Sequence, residues 1–352
     1  MKEKNLYLDS GYLNFRVVLN DGFPWSFVIG GRGTGKTYGA LQTAAENFKD
    51  AGIKFIYMRR TKTQADIVSS PVFNPYKKLN TDKGWNIEPF KIPGLTSAFF
   101  DSVVDSDTGK RSPSGDYYGL ITSLSTFSNF RGFDASDISL LLYDEFIRNA
   151  AERPIKDEGF ALKNVYETIN RNRELTGETP LKCVCLSNSN ALDNDVFVDF
   201  ELVEVVEKMA KAGKNQYYLE DRGISIYNLT DSPISQQKRK TALYRMDNGG
   251  EYSKMALSNA YEDYDTSFIK SVPITEYKPI VVVGELCIYR HKSENRYYIT
   301  YHKSGSPESY STSHLDKNRF IRKFVYIWES HLQGRCLFET FLCKRMFEKI
   351  FM

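Results

Sequence analysis

One run, Phe27-Val28-Ile29-Gly30-Gly31-Arg32-Gly33-Thr34-Gly35-Lys36-Thr37, constrains this chain more than any other stretch. An apolar segment, a glycine-rich loop and a helix start (38–48) follow one another there. The spacing Gly30-x-x-x-x-Gly35-Lys36-Thr37 is that of a P-loop. Small residues let backbone N–H groups wrap a polyphosphate, and the helix N-terminus adds partial positive charge where the phosphates rest. The pattern assigns Gly30, Gly31, Arg32, Gly33, Thr34, Gly35, Lys36 and Thr37 to nucleotide binding. Lys36 is expected to reach the β- and γ-phosphates, and the Thr37 hydroxyl to hold Mg²⁺. ATP and Mg²⁺ are therefore the expected cofactors.

The strand before the loop needs partners. Ala51-Gly52 ends the helix, and Lys54-Phe55-Ile56-Tyr57-Met58 reads as a second buried strand, an order that predicts a parallel sheet flanked by helices. The second strong signal is Ile138-Ser139-Leu140-Leu141-Leu142-Tyr143-Asp144-Glu145, an apolar strand ending in two carboxylates, with Asp144 108 residues after Lys36. Asp144 is expected to hold Mg²⁺ through water, and Glu145 to orient and deprotonate the attacking water. A carboxylate directly after the aspartate favours hydrolysis of the γ-phosphate over its transfer to another acceptor. The run 180–188 is a further strand tipped by Ser187 and Asn188. A polar residue there can sense the γ-phosphate, and Asn188 can equally cap a helix or turn. The fold class expected is α/β, a P-loop NTPase sheet.

Basic residues cluster near this core. Arg59-Arg60-Thr61-Lys62 ends the second strand, where ligands of open α/β sheets collect, and it can meet phosphate or face solvent. Arg131 lies on a loop before the Asp144-Glu145 strand, and Arg171 and Arg173 follow a helix at 161–170. These are surface arginines, or one or more inserts into a neighbouring subunit's site as an arginine finger.

The rest of the chain bounds the reading. Its 352 residues have room for about two domains. With 41% hydrophobic and 26% charged residues, disorder is not expected. No apolar run reaches the length of a membrane span, and Met1-Lys2-Glu3-Lys4-Asn5 lacks a signal-peptide core, so a cytosolic protein with no membrane partner is expected. Five cysteines in apolar surroundings and four scattered histidines predict reduced thiols and no metal cluster. The lead-in carries Tyr7, Tyr12 and Phe15, and 64–96, with Pro71, Pro75, Pro89 and Pro93, reads as a surface insertion. The boundaries expected are an ATPase domain at 1–205, a linker subdomain at 206–265 and a C-terminal α+β domain at 266–352. In the last, a β-hairpin or meander precedes two helices, whose buried faces read as Ile321, Val325, Trp328 and Leu332, then Leu337, Phe338, Phe341, Leu342 and Phe347. Residues 302–352 hold nine Lys/Arg against five Asp/Glu, a mild surplus that suits a polyanion or a solvated face.

Several stretches together resemble the DNA-packaging ATPases of small Bacillus-type podoviruses, relatives of the terminase large subunits of tailed phages. They are Phe27-Val28-Ile29-Gly30 with Arg32-Gly33, Phe55-Ile56-Tyr57 with Arg59-Arg60, and Asp144-Glu145-Phe146-Ile147-Arg148. Arg171-Asn172-Arg173-Glu174, Cys185-Leu186-Ser187-Asn188, Arg239-Lys240-Thr241, and Asp247 with Gly250-Glu251-Tyr252 continue the series in order. The resemblance runs from about residue 20 to 260, and beyond that the match is by position alone. It implies an ATPase core with an added catalytic glutamate. It also implies a homo-oligomeric ring, typically of five subunits, in the host cytoplasm and transiently at the portal vertex of a procapsid, driving double-stranded DNA inward. By motif position, Glu145 keeps its catalytic role, Arg171 falls at the family's trans-acting arginine, and Arg131 falls where the family has a trans-acting lysine. Arg59 and Lys62 fall where basic residues face the DNA channel. The C-terminal domain is implied to be a vestigial RNase H-like nuclease fold. Glu285, Glu294, Glu308 and Asp316 are spread out, so no nuclease activity is expected. Some relatives dock through a structural RNA, a further possible partner. Other readings of the same motifs are a helicase or AAA-type motor, and a nucleotide-gated assembly protein with negligible turnover.

Overall fold

The computed structural model describes residues 5–94, 96–130, 134–149, 152–188, 192, 194–229, 232–247, 250, 253 and 267–351. Arg131, Glu251 and Tyr252 lie outside the described residues. The chain divides into two compact units, Met1–Val196 with Glu204–Glu262, and Phe197–Val203 with Asp263–Met352.

The first unit is built on a nine-stranded sheet. Its strands are β1 (Trp25–Gly30), β2 (Lys54–Arg59), β3 (Ile87–Lys91), β4 (Ser97–Val104), β5 (Arg111–Ser123), β6 (Ile138–Asp144), β7 (Lys182–Ser187), β8 (Gln216–Leu219) and β9 (Ile224–Leu229), in the order β3-β4-β5-β2-β6-β7-β1-β9-β8. The six strands from β5 to β9 in that order run parallel to one another, and β4, β3 and β8 extend the edges antiparallel. The parallel strands are largely apolar where they are buried, as strands covered on both faces must be, while the first half of β5 is polar and exposed. Helices Lys36–Ala51 and Glu158–Asn170 pack against them, the first through Ala40, Leu41, Ala44 and Ala45.

Two expectations change here. The sheet does not stop near residue 205. The short runs expected to form a linker subdomain are β8 and β9, and β9 is buried along its whole length because it lies parallel to β1. The stretch 64–96 is also part of the unit, giving helices Lys62–Val68 and Lys77–Lys83 and the strand β3. Pro89 is tolerated within β3 because β3 is an edge strand.

The second unit holds a five-stranded sheet. Strands β10 (Tyr277–Val283), β11 (Leu286–His291) and β12 (Tyr297–Thr300) form an antiparallel meander, flanked by β13 (Glu308–Tyr310) parallel to β10 and β14 (Cys336–Phe338) parallel to β12. Helices His314–Leu332 and Phe341–Phe351 share its core with Val281, Ile288 and Ile299. In the first helix Phe320, Phe324, Ile327 and Ser330 are buried; of the stripe read off the sequence, Ile321 and Trp328 pack against the core, while Val325 and Leu332 are exposed. Leu337 and Phe338 belong to β14 rather than to the last helix. Among the described residues, no helix is long and apolar enough to cross a membrane.

Candidate nucleotide site

Strand register brings the motif residues together. Ile29 of β1 pairs with Ser187 of β7, and Leu186 of β7 pairs with Asp144 of β6. Gly30, Asn188 and Glu145 therefore leave three adjacent strand ends side by side. Because β7 lies between β1 and β6, the tip carrying Asn188 falls between the phosphate loop and the carboxylate pair.

The loop itself is tightly drawn. Gly33 and Gly35 have φ values of 73° and 89°, in the region only glycine enters freely, and Gly35 caps the helix that begins at Lys36. The Lys36 ammonium is buried and donates to the Gly30 carbonyl (2.9 Å), the Gly31 carbonyl (3.0 Å) and Thr34 Oγ1 (3.2 Å). Burial brings its pKa down to about 8, against the pull of Glu145 and Asp144. Its partners are neutral acceptors within the loop, so the lysine is free to exchange them for phosphate oxygens. From the lead-in, Leu13 N–H donates to the Thr34 carbonyl (3.0 Å), and Tyr12 covers Gly35.

Thr37 Oγ1 donates to Asp144 Oδ1 at 3.0 Å. A hydroxyl and a carboxylate this close form a hard-oxygen pair of the kind Mg²⁺ takes, so the residues fit that ion. The other Asp144 oxygen accepts from Tyr57 OH (2.7 Å) and Arg59 (2.9 Å). Arg59, expected by resemblance among the residues that face a DNA channel, is found against Asp144. Met58 pairs with Tyr143, which sets Arg59 level with Asp144 on the same side of the sheet, and its guanidinium turns into the nucleotide site. Lys62 is exposed at the start of its helix, paired with Asp66 at 2.7 Å.

Glu145 leaves β6 with φ 58°, unusual for a non-glycine residue, and Phe146 N–H then donates to the Leu186 carbonyl (3.1 Å). The turn presents the Glu145 carboxylate to the Asn188 side-chain amide, which donates to it. Burial, with the neighbouring Asp144 charge, pushes the Glu145 carboxyl above the usual range. A raised carboxylate facing a polar strand tip is suited to taking a proton from water.

The two arginines after helix Glu158–Asn170 separate. Arg173 is buried, and its guanidinium donates to the carbonyls of Ala135 (3.0 Å), Ser136 (3.2 Å) and Ile138 (2.7 Å), so it fixes the start of β6. It is not a surface arginine. Arg171 is exposed, at φ 50° and ψ −127°. That backbone is costly for a side-chain-bearing residue, and such strain concentrates at functional positions.

Two features escaped sequence reasoning. Arg60 is fully buried and forms a two-bond pair with Glu158 (2.7 Å each) and a third contact with Glu152 (2.5 Å), with Tyr143 OH donating to Glu158 (2.7 Å). Lys238, at the end of helix Pro233–Lys238, donates to the Arg32 carbonyl on the phosphate loop. Its only signal in the sequence was the basic run Lys238-Arg239-Lys240.

A phosphate loop, a Thr37–Asp144 pair and a carboxylate–amide pair, set in a sheet with one strand between loop and carboxylates, define the fold and site of a P-loop ATPase. The model of the podovirus DNA encapsidation protein (Gp16) family matches residues 8–277, and the chain belongs to that family. It is 29% identical over 271 residues to the DNA packaging protein of Bacillus phage phi29, covering 77% of this chain and 70% of that one. The DNA packaging protein of Bacillus phage PZA is likewise 29% identical over 262 residues, covering 74% of this chain and 67% of the relative. In fold, the chain is similar to a solved structure described as the bacteriophage Phi-29 viral genome packaging motor assembly. The TM-score there is 0.66 with 22% identity, over 97% of this chain and 98% of the other. A structure described as the Phi-28 gp11 DNA packaging motor gives the same TM-score with 18% identity, over 94% of each chain.

Proposed function

We propose that this chain is the ATP-hydrolysing subunit of a viral genome-packaging motor, moving double-stranded DNA into a preformed capsid. The observation that carries the reading is the row Gly30, Asn188, Glu145 at adjacent strand ends, with Thr37 and Asp144 beside it. Lys36 and the loop N–H groups hold the triphosphate and stabilise charge on the γ-phosphoryl group as it leaves. Thr37 and Asp144 hold Mg²⁺, which neutralises phosphate charge when bound. Glu145 accepts the proton of the attacking water, and Asn188 orients the Glu145 carboxylate. Arg171, exposed and strained, acts in trans on the site of a neighbouring copy, so the working form is a homo-oligomeric ring, of five subunits by analogy with the family. Arg131 is a second trans candidate. The ring works at the portal of the procapsid in the host cytoplasm, with the portal and DNA as partners, and a structural RNA as a further one. Lys62 is the exposed base available to DNA phosphates. The reading gives the chain no nuclease activity. In support, Glu285 lies in the β10–β11 turn, Glu294 pairs with Arg296, Glu308 with Lys323 and Asp316 with Arg319, each in a different place.

The test is steady-state ATP hydrolysis against protein concentration, with and without double-stranded DNA. Glu145→Gln is expected to lower the rate per subunit by about 10²–10⁴-fold. Arg171→Ala is expected to remove the rise of rate with concentration. Hydrolysis that is independent of Arg171, of concentration and of DNA would sink the motor reading and leave an isolated NTPase.

A further inference from the structure

Lys238 lies on the phosphate loop without belonging to any nucleotide motif. Its ammonium donates to the Arg32 carbonyl. A methyl group placed on Gly33 would meet Lys238 Nζ at 2.7 Å, so the space left by the missing side chain is what the ammonium uses. The ring of Tyr244 lies 5.7 Å from the same nitrogen. Burial and the nearby Arg32 charge lower the Lys238 pKa, and Lys238 in turn is among the groups lowering that of Lys36. Two ammonium groups thus repel across one loop while both rest on neutral carbonyls, an arrangement that a polyanion relieves.

The placement is braced from a second side. Gly11, at φ 83°, approaches helix Pro233–Lys238 so closely that a Cβ there would lie 3.0 Å from Ile234 N and 3.1 Å from Pro233 Cβ. The next two residues, Tyr12 and Leu13, are those that touch Gly35 and Thr34. Loop, lead-in and helix therefore meet pairwise, and the helix cannot shift without disturbing both others.

We propose that Lys238 is a second lysine of the nucleotide site within the same subunit. It exchanges the Arg32 carbonyl for a phosphate oxygen of bound nucleoside triphosphate, and so ties residues 232–247 to the state of the loop. The inference rests on the ATPase reading above. A charge-assisted bond to phosphate is stronger than one to a carbonyl, which gives the exchange its direction.

The experiment uses the full chain as wild type, Lys36→Ala, Lys238→Met and Lys238→Arg. Binding of fluorescent ATP and ADP analogues is titrated, and hydrogen exchange of residues 232–247 is followed with and without nucleotide. Lys238→Met is expected to weaken triphosphate binding by about tenfold. It is also expected to abolish nucleotide-dependent protection of 232–247 while the melting temperature is kept, and Lys238→Arg is expected to recover most of both. Triphosphate binding by Lys238→Met within about twofold of wild type, with protection intact, overturns the role of Lys238. If Lys36→Ala has meanwhile lost binding, the ATPase reading survives that result. If the wild type itself binds no nucleotide, both fall together.

Discussion

Two charged clusters sit at the same end of one sheet, beyond β2 and beyond β1 with β6 and β7 between them, and they are neutralised in opposite ways. Around Arg60, every charge meets its counterpart: two bonds to Glu158, one to Glu152, and a Tyr143 hydroxyl on the same carboxylate. Around Lys36, the cation rests on two carbonyls and a hydroxyl, Lys238 rests on another carbonyl, and the Glu145 carboxyl is held above its usual range. The first cluster is complete by itself and joins the end of β2 to helix Glu158–Asn170. The second is incomplete by construction, and its cations keep their capacity for a ligand. For the buried cations Arg60 and Lys36, burial is shared, and what separates them is that one meets carboxylates and the other neutral acceptors.

The contrast can be broken first at Arg60. Arg60→Met leaves Glu158 buried without its partner and is expected to cost about 3–5 kcal/mol in urea unfolding. The double variant Arg60→Met/Glu158→Leu should regain most of that loss. A single variant as stable as wild type would show that the cluster is not the closed structural unit described.

A smaller contrast separates the neighbours Arg173 and Arg171. Arg173→Met removes the donor to three carbonyls and is expected to cost about 2 kcal/mol, read in the same unfolding assay. Arg171→Gly should instead gain about 1 kcal/mol, because glycine adopts φ 50° without strain. Equal losses from both would erase the division between an anchoring and a presented arginine.

A pH dependence sharpens the open cluster. The Lys36 pKa is lowered to about 8 in the fold, below its value of 10.5 in an unfolded chain. Between those values the unfolded chain binds more protons, so this group makes the nucleotide-free fold more stable as pH rises from about 8 towards 10.5. ATP affinity should move the other way, weakening above about pH 8 as the ammonium loses its proton. Thermal melts and nucleotide titrations across that window, with Lys36→Met as control, test the opposed signs. Parallel trends would remove Lys36 as the cause.

What the sequence made legible follows from range. The loop from Gly30 to Thr37 and the pair Asp144-Glu145 declare themselves because short spacings carry their chemistry. Asn188 drew notice because strand tips share one end of a parallel sheet. The contact of Arg59 with Asp144 was not foreseen because it depends on β2 lying beside β6, a pairing no local pattern encodes. The Arg60–Glu158 pair spans 98 residues and was invisible for the same reason. Lys238 reaches Arg32 across 206 residues. Strands β8 and β9 were misplaced because runs of four and six residues look too slight to join a large sheet.

The division of the chain has a practical meaning of its own. Residues Phe197–Val203 leave the first unit, belong to the second, and hand the chain back at Glu204 before it departs again after Glu262. The polypeptide thus crosses from one unit to the other three times. A cut after Glu262 leaves Phe197–Val203 on the fragment that carries the first unit. A fragment begun at Asp263 would also lack Phe197, Phe200, Leu202 and Val203, all buried apolar side chains of its own unit. Isolating the second unit whole calls for a gene that joins residues 197–203 directly to 263–352, rather than for a simple truncation.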